Sequence, residues 1–310
     1  MRNIAFLYPG QGSQYVGMGK DLYEANKIFK ETFDEAEETL KINIKDICFF
    51  GPKEKLQSTE ITQLAVLIHS IALSRVLLNE GIIPKAAAGL SLGEYTAFHI
   101  SGVIDFKSVL EIVRKRGTFM KESSEEKKGT MAAVLGLNDN IVKDICSKVS
   151  SGENFVIPAN YNCPGQIAIS GSFEAVEKAV KEIKASGGKA VKLQVDGSFH
   201  SPMMEGAALK LERELNNYKI NEPIMPVVIN TTGEKYKGTV SLREIMKQQI
   251  TSPVLWSNSI KTLIGMGVDT FVEIGPGKSL SGFLKRMDKN SRIMNAENID
   301  TLEKVIKELA

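Results

Sequence analysis

The order of the predicted strands and helices constrains the fold of this chain more than any other feature. Short apolar segments typical of buried strands alternate with amphipathic helices through most of the 310 residues. This alternation predicts a mainly parallel sheet covered by helices on both faces. Across residues 130–195 the order changes to β-α-β-β-α-β, the ferredoxin-like order. The sequence therefore predicts an α/β fold whose large domain carries an inserted, ferredoxin-like small domain.

A highly charged segment marks the predicted start of the small domain. Residues 122–129 read Glu-Ser-Ser-Glu-Glu-Lys-Lys-Gly and contain no apolar side chain, a composition typical of a domain boundary. We therefore predict a large catalytic domain formed by residues 1–125 and 197–310. Residues 126–196 form the predicted insertion.

Residues 89–94 read Gly-Leu-Ser-Leu-Gly-Glu and contain the Gly-x-Ser-x-Gly pattern of a nucleophile elbow. The alanine-rich residues 85–89 predict a strand before the turn, and residues 95–100 predict a helix after it. A helix that begins there directs its free N–H groups and the positive end of its dipole toward whatever the serine attacks. Ser91 is the predicted nucleophile, and the large domain is predicted to be hydrolase-like.

A serine hydroxyl needs a neighbouring base, which is usually a histidine, and the chain has three histidines. His69 lies in an apolar helix predicted for residues 62–79, where a packed, hydrogen-bonded core histidine is favoured. His99 follows Ser91 by eight residues on one helix, which displaces it by roughly 12 Å along the axis. His200 lies in a loop between a strand and a helix, where catalytic groups are common. By elimination, His200 is the predicted base.

Two polar residues interrupt apolar helix stripes. Arg116 falls at the edge of the stripe on the helix predicted for residues 105–120. It forms either a structural salt bridge with an internal carboxylate or a fork for a substrate carboxylate, and the spacing leaves both open. Gln249 continues the apolar stripe of residues 242–250, where a hydrogen-bonded core glutamine is the commoner case.

Two glycine-rich segments partly match the sequence motifs of nucleotide-binding sites. Residues 275–279 read Gly-Pro-Gly-Lys-Ser, but a phosphate-binding loop would need glycine at position 272, where Val272 continues a strand. Residues 10–12 would need glycine or alanine at position 15 to form a dinucleotide fingerprint, and Tyr15 stands there. We predict tight turns and no nucleotide cofactor.

The composition narrows the class of protein. A net charge of +2 does not favour nucleic acid as a partner. No stretch is expected to approach the length and hydropathy of a membrane span, and the N-terminal apolar run is too short for a signal peptide. The three widely spaced cysteines, Cys48, Cys146 and Cys163, do not have the pairing of a metal site. We expect a cytoplasmic, reduced protein without a metal or another cofactor.

Ordered motifs along the whole chain resemble those of the malonyl-CoA:acyl carrier protein transacylases, the acyltransferase family that loads malonyl units in fatty-acid synthesis. The matching segments are residues 6–14, 89–94, 116–117, 160–166, 198–201, 249–256 and 273–277. The resemblance implies that Ser91 carries the malonyl group as an ester, with His200 as base and then as acid. It also implies that the backbone N–H groups of Gln11 and Leu92 form the oxyanion hole.

The same resemblance implies roles for the other site residues. Arg116 would hold the malonyl carboxylate, and the main-chain carbonyl of Gln249 would orient the imidazole in place of an acidic residue. Asn162 would line the cleft between the domains. In related acyltransferases a phenylalanine just before the histidine goes with malonyl rather than methylmalonyl, and Phe199 fits that pattern.

The chain departs from the family pattern at two positions, and neither carries the chemistry. Leu90 stands where the family usually has histidine, and Leu64 where it usually has proline. The resemblance implies transfer of malonyl from malonyl-CoA, a substrate, to the phosphopantetheine thiol of acyl carrier protein for fatty-acid synthesis. Nothing in the sequence demands more than a monomer, which is the expected state. The alternatives are malonyl loading for a polyketide synthase, a serine thioester hydrolase and a catalytically silent carrier-binding subunit.

An acidic carrier protein would favour a basic rim around the cleft. The candidates for this rim are Lys189, Lys192, Lys285 and Arg286.

Overall fold

A parallel sheet lies at the centre of the larger part of the computed structural model, which describes residues 2–195 and 197–310. Its strands are β1 (Ile4–Tyr8), β2 (Ala86–Gly89), β7 (Val227–Val228), β8 (Thr270–Ile274) and β9 (Arg292–Ala296). They lie in the order β7-β2-β1-β8-β9, and each pairing is parallel. All residues of β1 and β8 are buried, as expected for a parallel sheet covered on both faces.

Helices cover both faces of this sheet. They are α1 (Lys20–Ala25), α2 (Lys27–Leu40), α3 (Ile44–Phe50), α4 (Lys53–Gln57), α5 (Thr59–Asn79), α6 (Gly93–Ile100), α7 (Phe106–Glu126), α10 (Glu205–Leu215), α11 (Leu242–Thr251), α12 (Trp256–Gly265), α13 (Ser279–Met287) and α14 (Ile299–Leu309). Side chains of a strand alternate between its faces. Accordingly, Phe6 and Tyr8 of β1 belong to one hydrophobic core, while Ala5 and Leu7 belong to another.

A second, antiparallel sheet follows the predicted β-α-β-β-α-β order. Its elements are β3 (Gly129–Leu135), α8 (Asp139–Val149), β4 (Val156–Cys163), β5 (Gln166–Ser172), α9 (Phe173–Ala185) and β6 (Lys189–Lys192). The strand order is β4-β5-β3-β6, and a separate hydrophobic core lies between this sheet and its two helices. The predicted fold class, a mainly parallel α/β sheet with a small antiparallel sheet, is confirmed.

The charged segment chosen as the domain boundary is helical. Helix α7 continues to Glu126, and it buries Ser123 and Ser124 on its inner face. Charged residues on the solvent face of a helix have the same composition as a linker, so the sequence pattern does not distinguish the two. The second sheet begins at Gly129; the domain limits of residues 1–125, 126–196 and 197–310 stay a prediction.

Other element limits also differ from the predictions. The charged, amphipathic pattern of residues 21–40 predicts one helix, but the helix is broken at Asn26, whose side chain accepts a hydrogen bond from the Phe29 N–H and caps α2. Residues 202–218 are predicted to form a helix, which begins as a 3₁₀ turn and ends at Leu215. Residues 189–195 are predicted to form a strand, which ends at Lys192.

Helix α5 overturns one expectation from composition. It is long and apolar enough to cross a membrane, although no stretch was expected to approach that length and hydropathy. However, 89% of its most apolar window is buried inside the protein. It packs against α2 and α7, so this helix lies at the centre of the hydrophobic core.

Candidate active site

Ser91 lies in the tight turn between β2 and α6. Its φ angle of 51° is left-handed, a conformation that costs energy for any residue other than glycine. A Cβ atom on Gly89 would lie 1.9 Å from the Gly93 carbonyl carbon, and one on Gly93 would lie 2.1 Å from the Tyr8 carbonyl oxygen. Both glycines are therefore required for the close approach that holds Ser91 at the end of the strand.

His200 is the histidine that the structure brings to Ser91. The Ser91 Oγ–His200 Nε2 distance is 2.7 Å, and His200 Nδ1 lies 2.9 Å from the main-chain oxygen of Gln249. Because a carbonyl only accepts, Nδ1 carries the proton and Nε2 is free to accept the serine proton. Within residues 2–195 and 197–310, no carboxylate forms an ion pair with this ring.

Burial keeps the imidazole neutral. His200 is 3% exposed, and this burial, followed by the positive charge of Arg116, lowers its pKa to about 4, while the hydrogen bond from Nδ1 to the Gln249 carbonyl opposes the shift. A neutral imidazole is the form that can act as a base. The ring is therefore ready to take a proton from Ser91 at neutral pH.

Gln11 and Leu92 line the same cleft. Leu92 immediately precedes α6, and Gln11 lies in the loop after β1. The two loops touch, because a Cβ on Gly10 would lie 2.6 Å from the Leu90 carbonyl oxygen. Neither N–H has an acceptor among the residues that the structure describes. Both N–H groups are therefore without a partner in the described part of the chain, as the predicted oxyanion hole requires.

Arg116 of α7 is 1% exposed and lies beside the nucleophile. Its Nη2 is 3.2 Å from Ser91 Oγ and 3.0 Å from Gln249 Oε1, and its Nη1 donates to Gln63 Oε1 over 2.6 Å. Among the described side chains no carboxylate lies within ion-pair distance of it, and its Nε has no partner. The internal salt bridge that the spacing left open is not observed among the described residues, and the buried cation has one N–H group, at Nε, without a partner.

The cleft lies between the parallel sheet and the β3–β6 sheet and has a volume of about 280 Å³. Asn162 and Phe199 line it together with Ser91, Arg116 and His200. The Asn162 Oδ1 atom has no hydrogen-bond partner within the described part of the chain. The structure therefore brings these residues, together with Gln11 and Leu92, into one cavity. Gln249 contacts His200 and Arg116 but does not itself line the cavity.

Three site residues were not identified from the sequence. Gln63 accepts a hydrogen bond from Arg116. Asn230 binds both sides of the elbow: its side chain donates to the Gly89 carbonyl over 2.6 Å and accepts from the Ser91 N–H over 2.7 Å. Glu94 accepts from the Gln249 amide over 2.6 Å. Gln63 had a detectable signal, a polar side chain inside a strongly apolar helix, whereas nothing in the local pattern marks Asn230.

The other two histidines lie elsewhere. His69 is fully buried against Phe29, but neither of its ring nitrogens has a partner among the described residues, so the expected hydrogen bond is absent. His99 bonds the Ile104 carbonyl at the far end of α6. The structure thus leaves His200 as the histidine in contact with Ser91.

The segment at residues 275–279 forms the turn from β8 to α13. The buried Glu273 carboxylate accepts from the backbone N–H groups of Leu280 and Ser281 over 3.0 and 2.7 Å. These are donors that a phosphate would use at a helix N-terminus. The predicted tight turn is observed, and a carboxylate of the protein occupies its anion-binding position.

Comparison with known proteins agrees with the geometry. The family model described as acyl transferase domain matches residues 5–308. The malonyl CoA-acyl carrier protein transacylase of Bacillus subtilis (strain 168) is 42% identical over 310 residues, covering 100% of this chain and 98% of the relative. The solved transacylase of that name from Clostridium perfringens has 43% identity and a TM-score of 0.95, covering 99% of this chain and 97% of its own.

A further solved structure is described as a type II PKS acyl-carrier protein in complex with its malonyl-transacylase. It matches with a TM-score of 0.95 and 35% identity, covering 99% of each chain. Both the sequence and the structure are thus shared with transacylases over nearly the full length. The chain belongs to the acyl transferase domain family and, within it, to the malonyl-CoA:acyl carrier protein transacylases.

Proposed function

We propose that this protein transfers malonyl from malonyl-CoA to the phosphopantetheine thiol of an acyl carrier protein through an ester on Ser91. The observation that carries the proposal is the buried Arg116 guanidinium, 3.2 Å from Ser91 Oγ. A fixed cation beside a nucleophile fits an acyl group that bears its own carboxylate. The names of the relatives support the same substrate and acceptor.

In the first half-reaction, Ser91 Oγ attacks the thioester carbonyl while its proton passes to His200 Nε2. The new C–O bond leaves negative charge on the carbonyl oxygen, which the N–H groups of Gln11 and Leu92 stabilise. Collapse of this intermediate breaks the C–S bond, and His200 returns the proton to the sulfur of coenzyme A. The Gln249 carbonyl holds the ring in the required tautomer throughout.

The second half-reaction runs the same steps with a different thiol. The carrier thiol gives its proton to His200 and attacks the Ser91 ester carbonyl, and the oxyanion forms in the same place. The C–O bond to Ser91 then breaks, and His200 protonates the serine oxygen. One imidazole therefore serves as base and acid in both directions.

Two alternatives differ in acceptor. A hydrolase of the Ser-acid-His kind would place a carboxylate on His200 Nδ1, where this chain has the Gln249 carbonyl. Malonyl loading for a polyketide synthase is the second candidate, favoured by the solved complex with a type II PKS carrier. We propose fatty-acid synthesis as the pathway, a monomer in the cytoplasm as the working form, and chemistry without a cofactor.

Intact-mass measurement after mixing with malonyl-CoA tests the proposal. We expect one malonyl adduct per chain, located by peptide mapping on the segment that contains Ser91 and released by holo carrier protein as malonyl-carrier. Rapid formation of free malonate without an adduct would instead support a hydrolase. Absence of both adduct and turnover would support a silent carrier-binding subunit.

The pKa of His200 gives a second expected result. NMR titration of the imidazole, assigned with a His200→Gln variant, should show it charging only as the pH falls to about 4, below the ordinary 6.5. Because Arg116 lowers this pKa, bound malonate should offset that charge and raise the pKa of His200. A free-enzyme pKa near 6.5, or no rise with malonate, would contradict the assignment of burial and Arg116 as the causes.

A further inference from the structure

Glu94 is a buried carboxylate that the transfer chemistry does not use. It is the second residue of α6 and has no exposed surface. Its Oε1 accepts from the Asn230 backbone N–H over 2.6 Å, and its Oε2 accepts from Gln249 Nε2 over 2.6 Å. No ion pair with a cation is present at Glu94 among residues 2–195 and 197–310. Both of its partners are uncharged donors that lie in the active site.

Glu94 and the Ser91 carbonyl together determine which way the Gln249 amide points. A carbonyl only accepts hydrogen bonds, as does Glu94 in its ionised form, so the amide nitrogen faces both and donates to the Ser91 carbonyl over 2.8 Å. The amide oxygen is then directed at Arg116 Nη2, 3.0 Å away. Glu94 therefore acts on Arg116 through one intervening amide.

The second hydrogen bond of Glu94 reaches the nucleophile turn. The Asn230 backbone N–H is held by Glu94, while the Asn230 side chain bonds both the Gly89 carbonyl and the Ser91 N–H. One carboxylate thus supports the elbow on one side and the guanidinium on the other. Burial raises the pKa of Glu94 to about 7, opposed by its bonds to Asn230 and Gln249 and by the charge of Arg116.

We propose that Glu94 is a positioning residue for acyl-group selectivity: by orienting the Gln249 amide, it fixes the Arg116 fork where a malonyl carboxylate binds. This inference rests on the proposed malonyl transfer. It assigns Glu94 no contact with the substrate. Glu94 acts through two hydrogen bonds. Its replacement should affect the substrates whose carboxylate binds Arg116.

The Glu94→Gln variant tests this inference. Glutamine offers one oxygen and one NH₂ group, so it cannot accept both bonds. The Asn230 backbone N–H cannot turn, and the new NH₂ group would therefore face Gln249. The Gln249 amide would then rotate and present its own NH₂ group to Arg116. We expect the malonyl-to-acetyl ratio of kcat/KM for Ser91 acylation to fall about 10- to 100-fold, mainly through a higher KM for malonyl-CoA.

Glu273→Gln is the matched control, because Glu273 is equally buried and also accepts two hydrogen bonds, in its case both from backbone N–H groups. We expect it to lower Tm and leave the malonyl-to-acetyl ratio unchanged. An unchanged ratio in Glu94→Gln, an equal loss for both acyl groups, or an equal change in the control would overturn the inference.

If Glu94→Gln does not fold, Gln249→Met removes the same amide and retains the main-chain carbonyl that holds His200. The same fall in the ratio is then expected, and an unchanged ratio overturns the inference. In the Arg116→Ala background, Glu94→Gln should not change the ratio further; an additional change would show a route that bypasses Arg116 and overturn the inference. The malonyl adduct on the wild-type protein separates the two proposals. If the wild type forms no adduct, the proposed malonyl transfer itself fails. If the wild type forms the adduct but Glu94→Gln leaves the malonyl-to-acetyl ratio unchanged, only the positioning role is refuted.

Discussion

Replacing Ser91 by alanine is expected to abolish the malonyl adduct and to lower transfer to the carrier by about 10⁴-fold or more, since removing a nucleophile from a serine–histidine pair has effects of this size. The change deletes one oxygen, the atom that lies 2.7 Å from His200 and 3.2 Å from Arg116. The Cβ and the left-handed backbone remain, so the fold should be kept. Intact mass and a radiolabelled transfer assay measure the two quantities.

Ser101→Ala is the control for this prediction. Ser101 is a fully buried serine at the other end of α6, and its hydroxyl donates to the Phe98 carbonyl of the same helix. The chemical change is identical, and malonyl transfer should stay within about twofold because the lost bond is a local one. A malonyl adduct that persists in Ser91→Ala would identify a different nucleophile and refute the proposed mechanism.

The nucleophile and its base could be predicted because their signals are local or few. The elbow is a short pattern in which both glycines are required by close backbone contacts. Only three histidines had to be weighed, and helix geometry removed His99. Arg116 was recognised as unusual from helix spacing, but its partners were not, because Gln63 and Gln249 lie 53 and 133 residues away in the chain.

The network behind the nucleophile shows what sequence spacing cannot supply. The bonds from Asn230 to the elbow join residues 139 and 141 positions apart. An asparagine after a short strand is common in proteins, so its position alone does not identify it as a site residue. For Gln249, the resemblance implied a main-chain role, whereas the side chain also bridges Glu94 and Arg116. The bonds of Asn230 depend on the pairing of β2 with β7, which brings the residues that follow these two strands together.

The fold was predicted more fully than its element limits. Short apolar segments between amphipathic helices indicate which segments form strands, and the β-α-β-β-α-β order was predicted from that pattern. Breaks such as the one at Asn26 depend on a single capping bond and leave the apolar stripe nearly unchanged. Helix α7 likewise continues through its charged last turns because Ser123 and Ser124 pack inward.

Arg116→Ala should lose malonyl transfer by roughly 30- to 5,000-fold, the range that follows when one partner of a buried, hydrogen-bonded charge pair is removed. Acetyl transfer should fall far less, since acetyl has no carboxylate to pair with the guanidinium. Arg116→Lys should keep the charge and lose the fork, giving an intermediate loss. Single-turnover acylation with malonyl-CoA and acetyl-CoA measures the ratio directly.

Arg114→Ala is the matched control, on the same helix but on its exposed face, where the side chain donates to the Leu40 carbonyl. It should leave the malonyl-to-acetyl ratio unchanged. An equal loss for both acyl groups in Arg116→Ala would mean that the arginine supports the site only by packing and by its 3.2 Å contact with Ser91 Oγ. A selective loss would instead assign the spare donors of this buried cation to the acyl carboxylate, because no carboxylate of the described chain pairs with them directly.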